Sequence, residues 1–159
     1  MRLHKFKILL LTLCITSLSN AQSYINYDIS FANAAQHEAE IKVSFTKIKA
    51  GEFSFRMSRT SPGRYAIHEF AKNVYSVKAT DSKGNALKIT RPNPYQWDVA
   101  KHDGTINVTY TLFANRGGGT YAQIDETHAH LNIPATFMFA PSLKETPIQV
   151  TFNPRKDWK

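Results

Sequence analysis

Period-two alternation of apolar residues constrains this chain more than any other feature. Ile25, Tyr27, Ile29 and Phe31 alternate with Tyr24, Asn26, Asp28 and Ser30. Ile41, Val43 and Phe45 alternate with Lys42 and Ser44, and Phe53, Phe55 and Met57 with Ser54, Arg56 and Ser58. Ile106, Val108, Tyr110 and Leu112 repeat the pattern, as do Ile148, Val150 and Phe152. Successive strand side chains point to opposite faces, so each segment suits a strand with one buried face. Shorter strand segments lie at 75–80, 87–90 and Gln96–Val99. Turn-forming residues separate them: Lys49-Ala50-Gly51, residues 81–85, Pro92-Asn93-Pro94 and His102-Asp103-Gly104. The rhythm predicts a mainly β fold, an antiparallel β-sandwich or saddle-like sheet. One segment breaks it. In residues 64–74, RYAIHEFAKNV, Ile67, Phe70, Ala71 and Val74 recur at spacings of three and four. That spacing predicts one short helix laid on the sheet.

The N-terminus reads as a secretory signal peptide over residues 1–21. Arg2, Lys5 and Lys7 precede an apolar run at 8–18, and Ser19-Asn20-Ala21 offers a cleavage site after Ala21. The run is shorter than the ~20 residues of a membrane span. The expectation is a periplasmic or secreted protein with no stable membrane span after cleavage. Cys14 leaves with the signal, so the mature chain has no thiol for a disulfide or a nucleophile. The net charge falls from +8 to +5 as three bases and no acid depart. The other bases are interspersed with acids, which points away from nucleic acid. Residues 22–159 suit one domain with one core.

The polar residues concentrate in residues 117–139, GGGTYAQIDETHAHLNIPATFMF. Gln123, Asp125, Glu126, Thr127, His128, His130 and Asn132 crowd into a short stretch behind three glycines. Burying so many polar groups in a core is costly, so the stretch is a solvated loop or a site. In an extended segment Glu126, His128 and His130 share a face and would offer a zinc ligand set. No H-E-x-x-H accompanies them. No G-x-S-x-G elbow occurs, and Pro62 after Ser61 removes the N–H an oxyanion hole would need. Gly117-Gly118-Gly119 lacks the Lys-Ser/Thr of a phosphate loop and gives the chain freedom to turn. Tyr65, Tyr95, Trp97, Tyr110 and Tyr121 would serve a sugar-stacking surface, but their positions suit packing better.

Residues 58–99 carry SPGRY, HEFAKNVY and RPNPYQWDV, and residues 111–139 carry DETHAHLN. As a set these segments resemble the N-terminal domain of the glycyl aminopeptidase family of zinc metallopeptidases. The resemblance runs over nearly all of residues 24–159. It implies a β-rich domain preceding a thermolysin-like catalytic domain, whose H-E-x-x-H histidines and a downstream acid bind zinc. Here the residues four on from His37 and His68 are Ile41 and Lys72, so the motif is absent. The resemblance therefore implies a non-catalytic domain ending before the catalytic one. It would have no metal or cofactor of its own and no peptidase activity alone. Its partners would be its own C-terminal catalytic domain and a peptide substrate.

A more distant likeness concerns the alanyl-aminopeptidase and leukotriene-hydrolase type, in which a Q-x-E-x-x-x-A-R pattern presents a Gln near the cleft. Residues 123–130 keep Gln123, an acid at Asp125 and Ala129, and depart at His130. The likeness implies that Gln123 contacts substrate, that Asp125 or Glu126 pairs with its ammonium, and that His128 and His130 lie alongside. A loop that docks onto the catalytic domain, a free-standing periplasmic binding module, and a small metal-binding protein using His128 and His130 are the competing readings.

Overall fold

The structure, a computed structural model, describes residues 24–158. The signal peptide expected over residues 1–21 lies outside them. Among the described residues no helix is long and apolar enough to cross a membrane.

The alternating segments form strands where the pattern predicts them. β1 (Ile25–Ser30), β2 (Glu38–Thr46), β4 (Val74–Thr80), β7 (Thr105–Phe113) and β10 (Ile148–Asn153) make a five-stranded sheet in the order β10-β1-β2-β7-β4. β3 (Phe53–Arg56), β5 (Ile89–Asn93) and β6 (Gln96–Val99) make a second sheet in the order β3-β6-β5. β8 (Gln123–Ile124) and β9 (Ala129–His130) form a small hairpin. The fold is mainly β and mostly antiparallel. One pairing departs from the expectation: β10 runs parallel to β1, with Val150 opposite Tyr27. The chain reaches β10 by crossing the sheet rather than by a hairpin, which permits that direction. β5 runs on through Pro92, which an edge strand tolerates.

The two larger sheets meet face to face. Ala39, Ile41, Val43 and Phe45 of β2 and Ile106, Val108, Tyr110 and Leu112 of β7 are all buried. The Phe45 ring lies 5.1 Å from Phe53 and 6.2 Å from Phe55, and Phe55 stacks on Trp97 at 6.1 Å. Residues 131–140 cross the rest of the inner face, carrying the short helix α1 (Ile133–Thr136). Two buried phenols hold this crossing. Tyr27 Oη donates to the Met138 carbonyl at 2.7 Å. Tyr110 Oη donates to the Thr136 carbonyl at 2.9 Å and accepts from the Met138 N–H at 3.1 Å. Burial pushes the Tyr27 hydroxyl up to about 12 and raises Tyr110 as well.

The helix expected over residues 64–74 is not formed. A single 3-10 turn spans Phe70–Asn73 and passes directly into β4. Two contacts close the preceding residues into a loop instead. The His68 N–H donates to the Arg59 carbonyl at 2.6 Å, and the Arg59 guanidinium pairs with Glu69 at 2.7 Å. Phe70, Ala71 and Val74 are buried as the spacing implied, but Ile67 is 65% exposed. Three buried positions over five residues need only one tight turn, so the pattern overstates the helix.

Candidate functional site

The β8–β9 hairpin carries the polar cluster. Its anchor is Ile124, fully buried, whose N–H donates to the Ala114 carbonyl at 2.8 Å. The Ile124 carbonyl lies 2.6 Å from His37 Nδ1, so the hairpin is fixed to the end of β7 and to the turn before β2. Gln123 stands opposite His130, and Ile124 opposite Ala129. Gln123 and His130 therefore share a face, the one turned away from the Ile124 anchor.

Asp125 organises the connecting turn. Its Oδ1 accepts from the Thr127 N–H at 2.7 Å, the Thr127 hydroxyl at 2.6 Å and the His128 N–H at 3.1 Å. The Thr127 hydroxyl above all, with these backbone N–H groups, holds the Asp125 carboxyl down to about 2. His128 Nδ1 lies 2.8 Å from Thr127 Oγ1 and 3.4 Å from Asp125 Oδ1. Glu126 is exposed, and among the described residues its carboxylate forms no ion pair. Of the two acids, Asp125 is engaged by the turn and Glu126 is free to meet a ligand.

Sequence reasoning missed two residues that position this site. A Cβ at Gly117 would stand 2.3 Å from Gln123 Oε1, so the glycine makes the room in which the Gln123 side chain lies. A glycine six positions before the glutamine was the available signal. Trp158 donates its indole N–H to the Glu126 carbonyl at 2.9 Å and packs on Phe31 with ring centroids 4.8 Å apart. A lone tryptophan among Arg155, Lys156 and Asp157 was the hint.

The family model of the peptidase M61 N-terminal domain matches residues 26–159. The chain belongs to this family. That agrees with the glycyl aminopeptidase resemblance carried by SPGRY, HEFAKNVY and DETHAHLN. No curated protein matches the chain. The fold of this M61 N-terminal domain is similar to that of an aminopeptidase N family protein from Idiomarina loihiensis, with a TM-score of 0.77 at 17% identity. The likeness covers 83% of this chain and 22% of that protein. At that identity it is a likeness of fold, and most of that protein lies outside it.

Among the described residues no three His, Cys, Asp or Glu side chains come together as a ligand set. Glu126, His128 and His130 alternate in sequence but do not converge, because residues 125–128 turn instead of extending. Gln123 and His130 are brought together, as are Asp125, Thr127 and His128. The Glu126 carboxylate takes part in neither group.

Proposed function

We propose that this chain is the non-catalytic N-terminal domain of an exported zinc aminopeptidase of the glycyl aminopeptidase type. In this reading it walls one side of the substrate cleft and helps restrict the enzyme to peptide N-termini. Zinc and the water-activating glutamate belong to a following catalytic domain, which is also the principal partner.

The observation that carries the reading is the open edge of the large sheet. Ile148, Val150 and Phe152 pair in register with Ile25, Tyr27 and Ile29, whose side chains belong to the core. They lie on the same inner face, yet Ile148 is 60% exposed and Phe152 55%. With Ile133, Pro134, Phe137 and Phe139 they line an apolar groove of about 550 Å³. A soluble domain rarely leaves a core face uncovered unless something covers it. The fold relative supplies the kind of cover, since this domain accounts for 22% of a longer chain there. Trp158, five residues beyond β10, is bonded to the Glu126 carbonyl, so a domain seated on the open edge has the 123–130 hairpin at its border.

Gln123 is then the residue that contacts the substrate near its N-terminus. Glu126, the acid left free by the turn, pairs with the substrate ammonium, a charge-assisted contact. In the full-length enzyme, Gln123→Ala lowers kcat/KM by roughly ten- to a hundredfold, the loss of one strong hydrogen bond. Glu126→Gln costs more on free N-terminal amines than on blocked substrates, while zinc content is unchanged in both variants. If both variants keep kcat/KM within about twofold of wild type, the hairpin does not line the cleft.

A further inference from the structure

A second concave site lies between loop 61–68 and the glycine run, away from the apolar groove. It has a volume of about 200 Å³ and is lined by Arg64, His68, Arg116, the Gly117-Gly118-Gly119 backbone, Thr120 and Tyr121. No carboxylate lines it. Among the described residues Arg59 and Arg155 pair with acids, whereas neither Arg64 nor Arg116 does. Two guanidinium groups lining one hollow without an acid leave it positively charged, which favours an anion there.

The surroundings hold these groups in place. The Arg116 guanidinium lies over the Tyr121 ring, 4.3 Å from its centroid, and Lys72 Nζ lies 5.7 Å from the same centroid. The His68 ring stacks on Phe70 at 5.3 Å, and its Nδ1 is 3.3 Å from Tyr121 Oη. The glycine run fits the arrangement residue by residue. Gly118 has a φ of +124°, closed to most side chains, and a Cβ at Gly119 would meet Arg64 Nη2 at 3.1 Å. Asn132 Nδ2 donates to the Gly119 carbonyl at 2.8 Å and pins the wall.

We propose that this pocket binds a small oxyanion, a carboxylate or a phosphate, between Arg64 and Arg116, with the His68 ring in the wall beside them. The planar guanidinium fork matches either group, and the volume suits an ion or a terminal carboxylate rather than a nucleotide. The site goes beyond the cleft assignment and does not depend on it, because its readout is binding and not turnover.

The test is calorimetric titration of the full-length protein at low ionic strength with two probes, inorganic phosphate and N-acetylglycine. The blocked amine of N-acetylglycine keeps it from acting as an aminopeptidase substrate. Saturable one-site binding of either probe that the arginine variants weaken supports the pocket over the catalytic zinc of the proposed enzyme, and the tighter probe names the source of the oxyanion. Arg64→Gln and Arg116→Gln each weaken that binding by about tenfold or more, as loss of a charge-assisted contact requires. Gly119→Ala, which displaces Arg64 without removing charge, weakens it as well. Lys144→Gln removes the same charge elsewhere and leaves binding within about twofold, as a local rather than a net-charge effect requires. Absence of saturable binding to both probes overturns the proposal. So does equal weakening by Lys144→Gln, or wild-type binding by the two arginine variants with unchanged melting temperatures.

Discussion

The turn at residues 125–128 meets most of its hydrogen-bonding needs within itself, with Trp158 donating to the Glu126 carbonyl, while the inner face of β10 leaves its apolar side chains uncovered. In the turn, one carboxylate oxygen of Asp125 takes two N–H groups and a hydroxyl. At β10, Ile148, Val150 and Phe152 continue the core face of β1 into the open. Polar groups satisfied locally need no partner, whereas an apolar face is satisfied only by another surface. The difference separates a structural use of polar residues from an unfilled docking face, although sequence alone makes the polar stretch look like the site and the alternating stretch look like scaffold.

The strongest way to break this comparison is to loosen the wall that gives the groove its shape. Tyr110→Phe leaves the Thr136 carbonyl and the Met138 N–H without their shared hydroxyl, deep in the core. Orphaning two buried groups costs about 2–4 kcal/mol in chemical denaturation, and Tyr27→Phe, which orphans one, about 1–2 kcal/mol. A cost below about 0.5 kcal/mol for Tyr110→Phe shows that residues 131–140 are held by packing alone.

A matched pair of valines sharpens the contrast. Val43 and Val150 both sit on the inner face of the large sheet, but Val43 is fully buried and Val150 is 36% exposed. In the 159-residue chain Val43→Ala costs about 2 kcal/mol, and Val150→Ala about 0.5 kcal/mol, because a partly solvated site has less contact to lose. In a longer chain whose further domain covers β10, as the proposed function requires, the second cost rises towards the first. Equal costs in the 159-residue chain contradict an open face.

The same pair shows what sequence carries and what it does not. Alternation predicts β1, β2, β3, β7 and β10, because the pattern that buries one face is written locally, whereas β4 carries no such alternation. It does not say whether that face is covered, since cover comes from residues far away or on another domain. Residues 64–74 mislead for the related reason that Phe70, Ala71 and Val74 fit a helix or a 3-10 turn entering a strand. The choice was made by the tie of Arg59 to His68 and Glu69, which closes a loop that the apolar spacing does not encode. Helix α1 at Ile133–Thr136 had no apolar period to announce it; the Tyr110 hydroxyl donates to its Thr136 carbonyl, and Tyr27 to the Met138 carbonyl just beyond it. In the polar stretch, the hairpin residues were legible as a cluster. The division of roles between Asp125 and Glu126 was not, because it depends on how Thr127 and His128 fold back. Arg64, His68 and Arg116 lie 52 positions apart at the extremes, and only the fold brings them to one pocket.

The smallest expected effect tests the self-satisfied side. The Asp125 carboxyl is lowered from 3.8 to about 2 in the folded turn, by the Thr127 hydroxyl first and then by N–H groups. A lowered value means the ionised form is the one the fold favours, so its contribution is full above about pH 4 and is lost as pH falls through about 2. Carboxyl carbon shifts followed by NMR therefore give Asp125 a midpoint near 2, and the Thr127 and His128 amide signals move with it. The loss is local: signals of Tyr110 and the 131–140 crossing hold through the same window. Asp125→Asn keeps an oxygen acceptor for the turn and removes the titration, so these amides become insensitive to pH there. Asp125→Ala removes the acceptor, and both amides lose their native shifts at every pH. A midpoint at the ordinary carboxylate value of 3.8, or wild-type amide shifts in Asp125→Ala, means that the turn does not depend on this carboxylate. Asp125 would then be as free as Glu126 to meet a substrate ammonium, and the distinction between the two acids would go.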